Sequence, residues 1–247
     1  MNGLLEGKKI IVTGARGLAK GMIAGLSGAG GTVAAISRSD SASQLVKEGI
    51  AAYAVKADLR SRTARQNAFS RALEALGGEV DVLVNCAGIQ RRNELEDFTF
   101  EDWDDVIDVN LTATWELSQL AARRMIAQGR GGKIINIASM ISFFGGFRIP
   151  AYAASKGGVM QLTKSMAIGW AKYGIQVNAL APGYMATDMN TALMDDPKRS
   201  ADILRRIPAG RWGTPEDMAG PCVFLASNQS DYITGAIIPV DGGYLVT

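Results

Sequence analysis

Tyr152 and Lys156 stand four residues apart, about one helical turn, so a helix through them carries a phenol and an ammonium on one face. Ser139 lies upstream, ending the apolar run that starts at Lys133. A parallel strand would deliver that last side chain into a cleft. A free phenol titrates near pH 10, and a cation close by favours the phenolate. Such a tyrosine can trade a proton with a carbonyl near neutral pH, while a serine hydroxyl donates to the same oxygen as charge develops. Reversible carbonyl reduction is the chemistry that these three residue types support. The plainer alternative is an exposed Tyr-x-x-x-Lys pair on an amphipathic helix.

Composition narrows the choice. The 247 residues contain no histidine, which removes Ser–His–Asp and Cys–His catalysis and any histidine metal site. Cys86 and Cys222 are distant, without CxxC spacing, so neither a disulfide framework nor a zinc site is implied. Twenty-six basic and 24 acidic residues are scattered along the chain, which gives no nucleic-acid tract and no basic membrane-surface helix. No apolar run reaches the roughly 20 residues that cross a bilayer, and the N-terminus lacks a signal-peptide core. The expectation is a soluble cytoplasmic protein without metal.

The elements that must position these residues alternate along the chain. Strands are expected near 8–13, 32–37, 52–56, 80–85, 132–139, 175–180 and 236–240, with helices near 17–28, 41–48, 61–76, 101–128, 152–173 and 215–226. Repeated βαβ units of this kind predict an α/β fold: one doubly wound Rossmann-type domain over 1–247, about seven parallel strands with helices on both faces. Thr214-Pro215-Glu216-Asp217 and Thr99 with Asp102 read as helix starts. The stretch 184–211 reads as irregular and follows the sixth strand, where a parallel sheet places ligands. A mobile substrate lid is expected there.

The first strand runs into Thr13-Gly14-Ala15-Arg16-Gly17-Leu18-Ala19-Lys20-Gly21 and then an apolar helix. Glycines let backbone amides approach a pyrophosphate, and the helix N-terminus favours its charge. A tight turn would explain the same glycines. After the second strand comes Ser37-Arg38, with no acid before Asp40. Arginine accommodates a ribose 2′-phosphate where a carboxylate would bind the 2′-hydroxyl, so Arg16 and Arg38 point to NADP(H), with NAD(H) the second choice. Solvated surface arginines are the competing explanation.

With these residues in order, the chain resembles the short-chain dehydrogenase/reductase family over essentially its whole length. The matching motifs are the glycine loop at Thr13, Asp58-Leu59, Asn85-Cys86-Ala87-Gly88, Asn110, Ser139, Tyr152-x-x-x-Lys156 and Pro182-Gly183. Gly88-Ile-Gln-Arg-Arg92, Ala181-Pro-Gly-Tyr-Met-Ala-Thr187 and Arg206-Ile-Pro-Ala-Gly-Arg-Trp-Gly213 look most like the members that act on 2-deoxy-D-gluconate or 2-dehydro-3-deoxy-D-gluconate. Gluconate 5-dehydrogenases share much of this. The resemblance implies Tyr152 as general acid or base, Lys156 as its cation and a ligand of the nicotinamide ribose, Ser139 as donor to the substrate oxygen, and Asn110 as holder of a relay water. It also implies Asp58 and Leu59 near the adenine, Asn85, Ala87 and Gly88 beside the adenosine ribose, and Thr187 after Pro182-Gly183 on the carboxamide. Pairing of the fourth and fifth long helices across a homodimer or homotetramer is a further implication.

Three departures stand out. The glycine loop is one residue shorter than TGxxxGxG, Ala19 replaces its last glycine and brings a methyl to a close helix–cofactor approach, and Cys86 replaces an asparagine. A sugar acid also needs a cation near the cleft. Arg148, just before Tyr152, is the first choice, and Arg91 and Arg92 come next. Two other functions remain open. A 3-oxoacyl-thioester reductase would use the same catalytic set but favour a basic cleft mouth, for which no obvious sequence patch exists. A non-catalytic nucleotide-binding sensor or scaffold would explain the short loop.

Overall fold

Seven short aliphatic runs become seven parallel strands in the computed structural model, which describes residues 3–247. They are β1 Lys9–Thr13, β2 Thr32–Ser37, β3 Tyr53–Lys56, β4 Val82–Asn85, β5 Gly132–Ile137, β6 Ile175–Pro182 and β7 Ile237–Val240. Their spatial order is β3-β2-β1-β4-β5-β6-β7. Near-continuous apolarity is what a sheet buried on both faces requires. In β1, Ile10 and Val12 face one core while Ile11 between them faces the other, the period-two alternation of a strand.

Helices α1 (Leu18–Gly28), α2 (Ser41–Lys47) and α9 (Ala219–Ala226) pack into the first core through Met22, Ile23, Leu45 and Cys222. Helices α3 (Arg62–Ala75), α5 (Ala113–Gln128) and α6 (Pro150–Trp170) fill the second with Phe69, Leu117, Met125 and Met166. Between α4 (Phe100–Ile107) and α5 runs a π-helical segment, Asp108–Thr112, so the long helix expected over 101–128 is continuous but locally widened. The expected caps are in place. Thr99 accepts from the Asp102 amide at 3.1 Å, and the Asp217 carboxylate accepts from the Thr214 amide at 2.7 Å. The helix expected from 215 opens instead as a 3-10 turn over Pro215–Met218.

Two expectations need correction. The fifth strand ends at Ile137, so Ser139 stands beyond it and begins a 3-10 turn, Met140–Ser142. The stretch 184–211 is not irregular: it carries α7 (Thr191–Met194) and α8 (Pro197–Leu204). Asp196 caps α8 by accepting from the amides of Lys198 and Arg199, and Pro197 supplies its first turn. That N-cap-and-proline signature is the helix start that Asp195-Asp196-Pro197 encodes. Among the described residues, no helix is long and apolar enough to cross a membrane.

Candidate active site

The chain leaves β1 outward through β2 and β3, then crosses back to β4 on the other side of β1. The ends of β1 and β4 therefore flank a crevice at the switch in strand order, where doubly wound sheets bind ligands. Thr13 ties the two ends together: its hydroxyl accepts from the amides of Cys86 and Ala87, both at 3.0 Å. A cleft of about 600 Å³ opens above. It gathers Arg16, Gly17, Leu18, Gly88, Arg92, Ser139, Tyr152, Lys156, Pro182, Gly183 and Thr187 from the predicted set. A second lobe of about 470 Å³ continues from Ser139, Tyr152 and Arg92 under the lid.

The glycine loop fits a dinucleotide despite its length. Gly14 and Gly17 hold φ of +90° and +50°, which side chains resist. Helix α1 begins at Gly17 with no side-chain cap and no acid in its first turn, so its amides face the crevice with the polarity that binds anions. The methyl of Ala19 does not intrude. Ala19 is buried, and a Cβ placed on Gly14 would lie 3.2 Å from its methyl. It packs under the loop, away from the ligand side, which corrects the expectation that it crowds a cofactor.

Other predicted cofactor residues lie outside the main cleft. Ser37 spends its hydroxyl on the turn into α2, donating to Ser39 C=O at 2.7 Å and accepting from Ala42 N–H. Arg38 is exposed beyond β2, and Asp40 is claimed by Lys56 at 2.9 Å. Asp58 chelates Arg60, whose hydrogen bonds hold its carboxyl below the ordinary range, and Leu59 is core. Asn85 is buried in the sheet, where its amide donates to Ser118 and Asn136, both at 2.9 Å. Gly88 lies beside the catalytic candidates: a Cβ built on it would stand 3.4 Å from Asn110 Oδ1 and 3.8 Å from Lys156 Nζ, ordinary contact distances.

Asn110 sits in the π-helical segment, a device that often marks functional sites. Its Oδ1 accepts from Ile89 N–H at 2.8 Å, and its Nδ2 donates to Ile89 C=O and to Ser155 Oγ. Ser155 in turn donates to Tyr152 C=O at 2.8 Å. The amide thus clamps the loop after β4 to the helical turn that carries Tyr152.

Lys156 is buried. Its Nζ donates to Ile137 C=O at 2.6 Å and stands 5.7 Å from the Tyr152 ring centroid. Burial lowers its pKa from 10.5 to about 8. Burial raises the Tyr152 phenol above its ordinary value, while the hydrogen bond with Ser139 pulls the other way. The expected lowering of the phenol by Lys156 is therefore not present in this arrangement. The ammonium is turned to a strand-end carbonyl and the ring face, so desolvation dominates.

Arg148 also departs from expectation. Its left-handed φ of +63° turns the loop so that its guanidinium meets Glu94 at 3.1 Å, and it lines neither lobe. Arg91 is held by Asp102 and Asp105. Arg92 remains on the cleft, joined there by Arg199 and Arg206 from the lid region. The cationic cleft mouth absent from any one stretch of sequence is thus assembled from two distant stretches.

Ser142 was not legible as a site residue. Its hydroxyl accepts from Ser139 N–H at 3.2 Å and donates to Lys156 C=O at 2.7 Å, tying the serine loop to the catalytic helix. Ser142→Ala should lower kcat roughly tenfold, the effect of about 1.4 kcal/mol in a positioning bond, with cofactor affinity held and Ser142→Thr restoring much of the loss. Unchanged kcat in the alanine variant would mean the bridge positions nothing.

A family profile described as enoyl-(acyl carrier protein) reductase matches residues 12–245. The chain is 50% identical over 245 residues to the 2-dehydro-3-deoxy-D-gluconate 5-dehydrogenase of Escherichia coli K12, covering 98% of this chain and 96% of that one. A crystal structure of a candidate 2-deoxy-D-gluconate 3-dehydrogenase from Agrobacterium tumefaciens with bound NADP superposes with a TM-score of 0.91 at 45% identity, covering all of both chains. A gluconate 5-dehydrogenase from Burkholderia cenocepacia, in complex with NADP and tartrate, gives 0.90 at 41% identity, covering 98% of this chain and 97% of that one. Likeness at this identity, from the phosphate loop to the last strand, settles the ancestry: the chain belongs to the short-chain dehydrogenase/reductase family.

Proposed function

We propose that the protein is an NADP(H)-dependent oxidoreductase that interconverts a secondary alcohol and a ketone on a sugar acid. The observation that carries this reading is one cleft in which Ser139, Tyr152 and Lys156 meet the glycine loop on one side and, on the other, Arg92, which has no carboxylate partner among the described residues. NADP(H), when bound, supplies or accepts the hydride. Gly14, Gly17 and the α1 N-terminus would hold its pyrophosphate, Arg38 and Arg16 its 2′-phosphate, and Thr187 with Pro182 and Gly183 its nicotinamide end. Arg38 has no carboxylate partner among the described residues, and with Asp40 paired to Lys56 the competing 2′-hydroxyl acceptor is engaged. Tyr152, protonated at neutral pH, gives its proton to the carbonyl oxygen during reduction and takes it back during oxidation. Ser139 donates to that oxygen, and Lys156 keeps positive charge beside the phenol ring. Asn110 fixes Tyr152 and Lys156 relative to the loop after β4, and a relay water on its side of the helix would reload the proton.

Exposed Phe100 and Trp103 on α4, and Trp115 of α5 stacked on Trp170 of α6 at 6.3 Å, support a homodimer or homotetramer through these helices. Gly158 packs internally against Leu111, whereas Gly157 faces open space that a second subunit's helix can fill. Sedimentation should return two or four times the 26.2 kDa chain mass. A cytoplasmic location fits a nicotinamide enzyme of this kind.

Steady-state assays test the reaction. D-gluconate and 2-deoxy-D-gluconate with NADP⁺ and NAD⁺, and an acetoacetyl thioester with NADPH, cover the competing readings. Turnover of a sugar acid with NADP⁺ preferred is expected. NAD⁺ preference would overturn the cofactor assignment, and dominant thioester reduction would restore the oxoacyl reading that the arginine-lined mouth also suits.

A further inference from the structure

Among the described residues, three arginines without a carboxylate partner share the substrate lobe; one of them, Arg206, is turned onto the Tyr244 ring at 4.4 Å, and the other two are free of such a contact. Arg92 comes from the loop after β4, and Arg199 from the first turn of α8. Four other arginines are engaged by carboxylates: Arg91 with Asp102, Arg148 with Glu94, Arg205 with Asp202 and Arg211 with Asp217. Among the described residues, none stands in ion-pair contact with Arg92 or Arg199. The charge on Arg92 is disfavoured first by withdrawal from water, then by repulsion from Arg199 and Arg148. An anion seated between two such guanidinium groups removes the repulsion and receives charge-assisted hydrogen bonds from both sides.

Helix α8 is anchored unevenly. Its far end is held to the fold, with Ile203 against the cluster of Met140, Ile207 and Tyr244, and Arg206 over the Tyr244 ring at 4.4 Å. Near its first turn, beyond the Asp196 cap, the side-chain contact is a 3.3 Å hydrogen bond from the Trp212 indole to Ser200 Oγ. Arg199 thus rides on the looser end, over the lobe that contains Ser139 and Tyr152.

We infer that Arg199 is the lid-side half of a two-arginine clamp for a substrate carboxylate, so that the charge of the substrate itself draws the lid over the catalytic residues. This rests on the sugar-acid reading. A neutral polyol leaves the two cations unbridged, and the lid stays raised. Arg199 is then a specificity-determining residue, and selection for acids is exercised by closure as well as by contact.

The test uses the full-length protein with NADP⁺ and two probes that differ at one carbon, D-gluconate and D-glucitol. Wild type, Arg199→Gln and Arg199→Lys are compared in kcat/KM and in the rate of tryptic cleavage after Lys198, a site on the loose end of the lid that is present in all three. Arg199→Gln should reduce the gluconate-to-glucitol ratio of kcat/KM by roughly tenfold or more, as loss of one charge-assisted bond implies. Lysine should recover part of the ratio. Gluconate should slow lid cleavage in the wild type, glucitol should not, and the glutamine variant should lose the protection. An unchanged ratio, or protection that persists in Arg199→Gln, overturns the clamp. A wild type that oxidises no sugar acid overturns the functional reading instead, and cleavage in the presence of gluconate still judges the clamp because it requires only binding.

Discussion

Tyr152→Phe should lower kcat by roughly 10²–10⁴, the contribution of a positioned general acid, while NADPH binding followed by nicotinamide fluorescence changes little. No other group in the cleft can take over. The sequence has no histidine. The Cys86 thiol lines the cleft but is pushed by burial to about 12, so it neither gives nor takes a proton readily near neutrality. Lys156 is committed to Ile137 C=O, and Asp188 faces Arg16 across the mouth at 3.9 Å. Phenylalanine keeps the ring against the Lys156 ammonium and removes only the hydroxyl. A variant within tenfold of wild type would place the proton source elsewhere. The raised phenol also sets a direction, since a group protonated at neutral pH is ready to reduce and must be deprotonated to oxidise. Oxidative kcat/KM should therefore climb above pH 7 as the phenolate becomes accessible.

Legibility in the sequence followed the range of the interaction. β2 was readable to the residue, Thr32–Ser37, because alternation and turn chemistry are local. The Tyr152–Lys156 pair was readable because a helical turn dictates its geometry. Ser139 was placed correctly in the cleft but wrongly on a strand, since apolarity continues through Ala138 after the ladder has ended at Ile137. Arg148 stands four residues before Tyr152 in sequence, yet its side chain leaves the cleft for Glu94. One left-handed residue reversed its direction, and no pattern of residue types announces that when the residue is not glycine. Arg199 could not be found at all, because its partner Arg92 lies far away in the chain and only the fold of the lid brings them to one lobe. The raised phenol of Tyr152 escapes the sequence for a related reason. A shared helical face brings an ammonium near a ring, but where the ammonium points is decided by a carbonyl on another element.

Lys156→Met should abolish most turnover and make the protein more stable at neutral pH. The lysine titrates at about 8 in the fold against 10.5 ordinarily, because burial penalises its charge. A lysine that holds its proton less tightly when folded opposes folding wherever the unfolded chain is still charged. That opposition is complete below about pH 8 and fades as pH rises toward 10.5. At 1.36 kcal/mol per unit, the buried charge costs on the order of 3 kcal/mol. Methionine preserves most of the apolar stem and removes the charge, but it leaves Ile137 C=O without its donor, which returns about 1 kcal/mol. A net gain of about 2 kcal/mol should raise Tm by about 4–8 °C at pH 7, and the gain should vanish near pH 10. Turnover should fall roughly 10²-fold or more, as for loss of a positioned electrostatic donor. In the wild type, reductive kcat/KM should hold below pH 8 and decline above it as the ammonium discharges. Equal or lower Tm in Lys156→Met at pH 7 would show that the Ile137 bond outweighs desolvation. A higher Tm with dead chemistry would identify Lys156 as a charge that the fold retains at the expense of its own stability, in the position where the reaction needs a cation.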